Sequence, residues 1–304
     1  MPNELAHLGV GGAVTRALIR AADPKWIYAG CVIPDGPWIL QRAVHALPCA
    51  VDPYSLRLYC ITQSSLLFCL VLAAGLAALA QAPKRVFTIL ALNSLVHLLL
   101  DACETKWGNG VDLLAPFFWK PWNLELFWPE SLTSYLLTAF GFTYVIVVWW
   151  HGRRVPIGVS FTSHRRVATA ATLFAAYVFA PLFLMSQPAR ANSHFLATLR
   201  ATGHRSGQLL ELDRARYVRG EHGDAIITFA GEEIGVAGVT GTRSGSVSVR
   251  GVFSDENTMR IDVLHEHWSR IRDSFSQIGL VVVALYWLKP CLDWLRRRFG
   301  DSAK

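Results

Sequence analysis

The stretch Asn93-Ser-Leu-Val-His97-Leu-Leu-Leu-Asp101 decides how this chain is read. It is apolar enough for a membrane helix, yet it carries an imidazole and a carboxylate four residues apart. Residues i and i+4 share one helix face, so both groups project the same way. Ionisable groups in such a segment are costly, and are paired, metal-bound or water-lining. A second stretch, Trp26-Ile-Tyr-Ala-Gly-Cys-Val-Ile-Pro34-Asp35, ends an apolar run on another carboxylate.

Working outward, the composition agrees with a membrane setting. Of 304 residues, 52% are hydrophobic and 11 are Trp, and mean hydropathy is +0.32. The net charge of +7 gathers in short clusters beside apolar segments, at Lys84-Arg85, Arg153-Arg154, Arg165-Arg166 and Arg296-Arg297-Arg298. Such clusters orient membrane helices rather than bind nucleic acid, which is not expected as a partner. Met1-Pro-Asn-Glu lacks the basic start of a cleavable signal, so insertion is expected to rely on internal helices. The six cysteines show no CxxC spacing. Cys49 and Cys60 are near enough in sequence to bridge, which spacing alone leaves open.

The expected fold is a mainly α-helical integral membrane protein with an inserted small all-β domain, an OB-like barrel or a sandwich, on the extracytoplasmic side. Residues 1–60 read as a re-entrant or interfacial helical hairpin and loop. Within them, 5–20 form a helix capped by Asn3, with Glu4 in its first turn. Gly9, Gly11 and Gly12 are costly in a helix unless another backbone packs close. Residues 61–186 form the transmembrane domain, with spans at 64–82, 86–102, 132–150 and 167–185. Between them, residues 104–131 are dense in Trp, Phe and Pro, a composition that favours the membrane boundary. Residues 187–272 alternate in strand fashion at Leu210–Asp213, Ile226–Phe229, Val247–Arg250 and Met259–Val263, with glycine turns between. Residues 273–304 hold a last span, at 278–295, and a basic tail.

Positive loops face the cytoplasm. That places Lys84-Arg85, residues 151–166 and the C-terminus inside, and the β domain outside with Asp101 and the Trp-rich segment. His7, Asp35, His97 and Asp101 would then meet near the outer boundary. Two imidazoles and two carboxylates are ordinary ligands for one zinc ion, or for manganese or iron. Such an ion lowers the pKa of a bound water toward about 7 and suits hydrolysis. Glu104 or Asp112 is the expected general base or outer partner of a ligand. The bland readings are a packed His7, an Asx turn at Asp35, and a His97–Asp101 pair that satisfies itself. His45 and His151 read as loop histidines, His265 and His267 as a solvated strand edge or an accidental metal site. Arg214, Arg216 and Arg219 read as a solvated face.

The order Ala6-His7-Leu-Gly-Val-Gly-Gly12, Gly30-Cys-Val-Ile-Pro-Asp35, Ser65-Leu-Leu-Phe68, His97-Leu-Leu-Leu-Asp101 and Gly110-Val-Asp-Leu-Leu-Ala-Pro-Phe117 resembles the bacterial membrane-bound metal-dependent hydrolases of the LexA-regulated, YdjM-like type. The resemblance covers about residues 3–150. It implies an inner-membrane helical protein whose metal ligands fall on His7, Asp35, His97 and Asp101. Many members carry a second Asp two residues after the Pro-Asp, where this chain has Pro37. Where they have a His-Arg…Thr-His-Ser block, it reads Tyr59-Cys-Ile-Thr-Gln-Ser-Ser65, with Ser64 at the aligned His. The expected function is hydrolysis of a membrane-adjacent or lipid-linked substrate, a phosphoester before an amide. The rival is a non-catalytic scaffold whose β domain binds a periplasmic protein. Transport ranks third, because the spans show no clear internal repeat.

Overall fold

A computed structural model describes residues 3–47, 51–151, 155–191, 194–221, 223–268 and 271–300, without the side chains at 271, 289–291 and 293–300. Helix α1 (Glu4–Leu18) begins on Asn3, whose side chain accepts from the Ala6 backbone N–H. Asp23 caps α2 (Pro24–Val32), which runs into a 3-10 turn, Ile33–Asp35. Next come α3 (Gly36–Ala46), α4 (Pro53–Gln63), α5 (Leu66–Ala78), α6 (Pro83–Cys103), α7 (Leu132–His151) and α8 (His164–Phe179). Short helices α9 (Ser186–Ala191) and α10 (Leu196–Arg200) lead into five strands. These are β1 (Leu209–Val218), β2 (Ala225–Ile227), β3 (Glu233–Gly238), β4 (Gly245–Phe253) and β5 (Thr258–His267). Helix α11 (Ile271–Gly300) follows.

Among the described residues, three segments are long and apolar enough to cross a membrane: Pro83–Cys103, Leu132–His151 and His164–Ala191. The expected span at 64–82 differs. Helix α5 has 13 residues, about 20 Å at ~1.5 Å per residue, which is short of a bilayer core of about 30 Å. It meets α4 at a bend of 68° across the break at Ser64-Ser65. Thr62 and Ser64 turn their hydroxyls back onto the Leu58 and Ile61 carbonyls just before that break. Such back-bonding competes with the helix and bends it. The expected last span, 278–295, lies inside α11.

The expected close backbone is found at Gly9, whereas Gly11 faces the Asn93 and Cys31 side chains and Gly12 the Tyr144 ring. Helix α1 crosses α7 where a Cβ on Gly9 would strike the Gly141 backbone, and one on Gly141 would strike the Leu5 carbonyl. Gly30 lets α2 approach α6 in the same way, against Leu90 and Asn93. With side chains removed from the crossings, polar groups reach across. Asn93 donates to Thr15 at 2.8 Å and Ser94 to the Gly30 carbonyl at 3.1 Å. These contacts lock α1, α2 and α6 together below the ionisable groups.

The basic segments gather at one end. Arg85 donates to the Arg20 carbonyl, Arg166 to that of Ala80, and Ser160 to that of Leu79. Arg153 and Arg154 lie outside the described residues. At the opposite end, residues 104–131 fold back over the C-terminus of α6 through Thr105–Phe127, Leu124–Ala102 and Leu126–Cys103 backbone bonds.

The strands close a barrel in the order β1-β2-β3-β5-β4, with β3 parallel to β5 and the other pairs antiparallel. Of the two small all-β forms expected, this is the barrel. Strand β3 is not among the stretches that alternation picks out, because Gly235 and Gly238 remove one side chain from each of its faces. The barrel is not a free-standing unit. Its core of Leu210, Leu212, Val247, Val249 and Ile261 continues into Leu58 and Ile61 of α4 and Leu196 and Leu199 of α10.

Candidate metal centre

His7, Asp35, His97 and Asp101 converge. His7 and His97 stack with ring centroids 3.7 Å apart and planes 10° from parallel. His7 Nε2 lies 3.4 Å from Asp101 Oδ1. His97 Nε2 lies 3.6 Å from Asp35 Oδ1 and 3.7 Å from Asp101 Oδ2. One ligand atom from each of His7, His97 and Asp101 falls within 4.8 Å of the others. Three local features put them there: the first turn of α1, the 3-10 turn after α2, and the last two turns of α6.

The donor accounting is unusual. Both ring nitrogens of His7 and of His97, Asp35 Oδ1 and Asp101 Oδ1 are buried without a hydrogen-bond partner. Buried polar atoms are nearly always satisfied, and an unpaired one costs about 1–3 kcal/mol. Ion-pair distances without hydrogen-bond geometry, on two imidazoles and two carboxylates, fit a divalent ion held among them.

The two proposed helpers separate. Glu104 is buried beside the cluster, and Lys106 Nζ links it to Asp101 at 4.0 and 3.2 Å respectively. Asp112 is buried too, but no interaction joins it to the four among the described residues. Its carboxyl is pushed up to about 7 by burial alone, with no neighbouring charge acting on it.

Two residues at the site escape a reading of the sequence. Glu4 has both carboxylate oxygens buried and unpartnered, and the charges of Asp35, His97 and Asp101 act on it. A signal for it exists, since i and i+3 place Glu4 on the His7 face of α1. Lys106 has no such signal, because only the fold-back of residues 104–131 brings its ammonium to Asp101. Gly279 of α11 leaves room for Glu4, since a Cβ there would strike the Glu4 side chain.

The outer wall of the barrel corrects other expectations. Residues 104–131 lie on it. Arg250 pairs with Glu125 and Glu211 and sits over Trp107. Trp128 stacks on His265 at 3.7 Å. Glu130 binds Arg214 at 3.2 Å and His267 at 3.0 Å. So His265 and His267 are not a solvated edge, and Arg214 leaves the solvated face, while Arg216 and Arg219 stay exposed. Burial acts to raise the Glu130 carboxyl, but the hydrogen bonds from both histidines and the Arg214 charge hold it well below the usual range. Burial pulls the His267 imidazole below its usual value, against the Glu130 contact. His45 and His151 lie in the last turns of α3 and α7 rather than in loops. Cys60 is a free thiol that donates to the Pro37 carbonyl, and Cys49 lies outside the described residues.

Together these features define a mainly helical protein with three apolar helices able to cross a membrane, a small five-stranded barrel, and a buried His/Asp cluster suited to a metal ion. No protein family, curated protein or solved structure matches the chain.

Proposed function

We propose that the chain is an inner-membrane metal-dependent hydrolase of the YdjM-like kind, acting on a membrane-adjacent or lipid-linked substrate. The observation that carries the reading is the set of buried, unpartnered imidazole and carboxylate atoms on His7, Asp35, His97 and Asp101. These four would hold the ion. A divalent ion there supplies Lewis acidity and makes water a competent nucleophile near neutral pH. Lys106 places an ammonium beside Asp101, where it favours an anionic substrate such as a phosphoester. Asp35 is the most open of the four, its side chain 15% exposed, and marks the side of approach. Glu104 serves as an outer partner, held to Asp101 through Lys106.

The membrane setting rests on α7 and α8, which expose Phe140, Phe142, Trp149, Val178 and Phe179. Phe117, Phe118 and Trp122 are exposed on the Trp-rich segment, as suits a lipid boundary. With the basic segments cytoplasmic, the cluster and the barrel fall on the periplasmic side.

One observation favours the second reading, a non-catalytic scaffold with a structural ion. His7 and His97 are 1% exposed, and the small cavity nearby is lined by Asn3, Pro129, Glu130, Ser134, Tyr135, Arg272 and Phe275, none of them from the four. The deciding experiment measures metal content and turnover of phospholipid-type substrates for the purified protein and for His97→Ala and Asp101→Ala. Metal and turnover lost together support the hydrolase. Metal without turnover supports the scaffold. A parent without metal removes the metal site and with it the hydrolase.

A further inference from the structure

A second cluster lies on the barrel wall, apart from the first. Glu130, from the segment before α7, meets His265 and His267 of β5, and one ligand atom of each lies within 4.8 Å of the others. Residues two apart on a strand share a face, so both rings point outward from the barrel beneath Glu130 and Trp128. The side chains of His267 and Glu130 are 1% and 5% exposed.

The protons can be counted. Ser248 Oγ donates its single proton to Asp213 Oδ1 at 2.8 Å and accepts from the Arg214 backbone N–H at 3.2 Å. It also lies 2.8 Å from His267 Nε2. With no proton left to give, Ser248 accepts there, which fixes the Nε2–H tautomer of His267. His267 Nδ1 lies 3.0 Å from Glu130 Oε1, a contact completed either by a second ring proton or by a cation held between the two atoms. With the ring neutral both atoms are acceptors shielded from water, and a cation between them satisfies both. His265 adds Nε2 at 3.5 Å from the other carboxylate oxygen. Donor separations of this size arise when ligands sit about 2.0–2.2 Å from one ion. The Arg214 guanidinium also holds Glu130 Oε1, at 3.2 Å.

We infer that Glu130, His265 and His267 form a second site for a divalent transition-metal ion, independent of the His7 cluster, that clamps residues 104–131 to the barrel wall. Two imidazoles and one carboxylate match a zinc-like ion. Ser248, backed by Asp213, orients His267 as outer partners of metal-bound histidines do.

The test uses the full chain in detergent, loaded with zinc and freed of excess by gel filtration. His265→Ala, a partly exposed position, loses one equivalent of zinc relative to the parent. Ser248→Ala weakens that binding about 10–100-fold, and Ser248→Thr restores it. The zinc lost in His97→Ala is the same with or without the His265 change. Equal zinc in the parent and in His265→Ala overturns the inference, whether or not the His7 cluster holds an ion. So does a parent whose His267 carries protons on both ring nitrogens at pH 7 in the presence of zinc, seen by nitrogen-15 NMR.

Discussion

The imidazole of His7 lies flat against that of His97, 3.7 Å between ring centroids, although the two belong to helices far apart in the chain. Their Nε2 atoms lie 3.4 Å from Asp101 Oδ1 and 3.6 Å from Asp35 Oδ1, which makes all four residues candidate ligands of one ion. Exchanging either ring for a methyl group should therefore abolish binding at this centre. We expect His7→Ala and His97→Ala to lose the same equivalent of metal, and the double variant to lose no more than either alone. Elemental analysis of the purified proteins checks this.

Glu4 brings a buried, unpartnered carboxyl group to the edge of the cluster. Glu4→Gln keeps the shape and removes the capacity for negative charge. Metal affinity at the His7 centre should fall about 10–100-fold, read by chelator competition. An unchanged affinity would reduce Glu4 to a favourable group at the start of α1.

The α1–α7 crossing depends on the absence of side chains at Gly9 and Gly141. Gly141→Val should force the helices apart and destabilise the protein by about 1–3 kcal/mol or more, as overpacking does. Thermal unfolding in detergent reads the effect. Gly203→Val is not a matched control, because its φ of +88° disfavours any side chain. Gly245→Val is a better one, with open space around the position.

Asp112 gives a pH dependence with a definite sign. Its carboxyl is pushed up from 3.8 to about 7 by burial, so the folded state binds the proton more tightly than the unfolded one. Its favourable contribution is complete below about pH 4. Between there and pH 7 it declines, by roughly 1.4 kcal/mol for each pH step of one, and it is flat above. Asp112→Asn should remove that decline. Stability measured from pH 4 to 8 in parent and variant decides it.

Orientation is checked by reporter fusions after residues 84, 158, 230 and 304. Only the fusion at 230 should report the periplasm. The inverse pattern, with only the fusion at 230 cytoplasmic, would reverse the sidedness of both candidate sites.

Much of the first centre is legible in the sequence because its signals are local. His97 and Asp101 are linked by helix periodicity, and Asp35 by its place after an apolar run. The break at Ser64-Ser65 is harder to see, since a run of apolar residues looks the same whether the helix is straight or bent. Strand β3 is hidden by its glycines. The second centre is illegible: Glu130 is 135 positions from His265, and nothing in either neighbourhood names the other.

By itself the sequence determined the helices, their polarity, the strand alternation and the ionisable residues that an apolar setting makes conspicuous. These follow from periods of a few residues and from the cost of burying charge. Only the tertiary structure decided that Lys106 reaches Asp101, that residues 104–131 cover the barrel wall, and that His267 is buried, and His265 half-buried, against Glu130. Those pairings depend on which surfaces meet after the chain has folded back on itself, and helix and strand periodicity does not encode such long-range contacts.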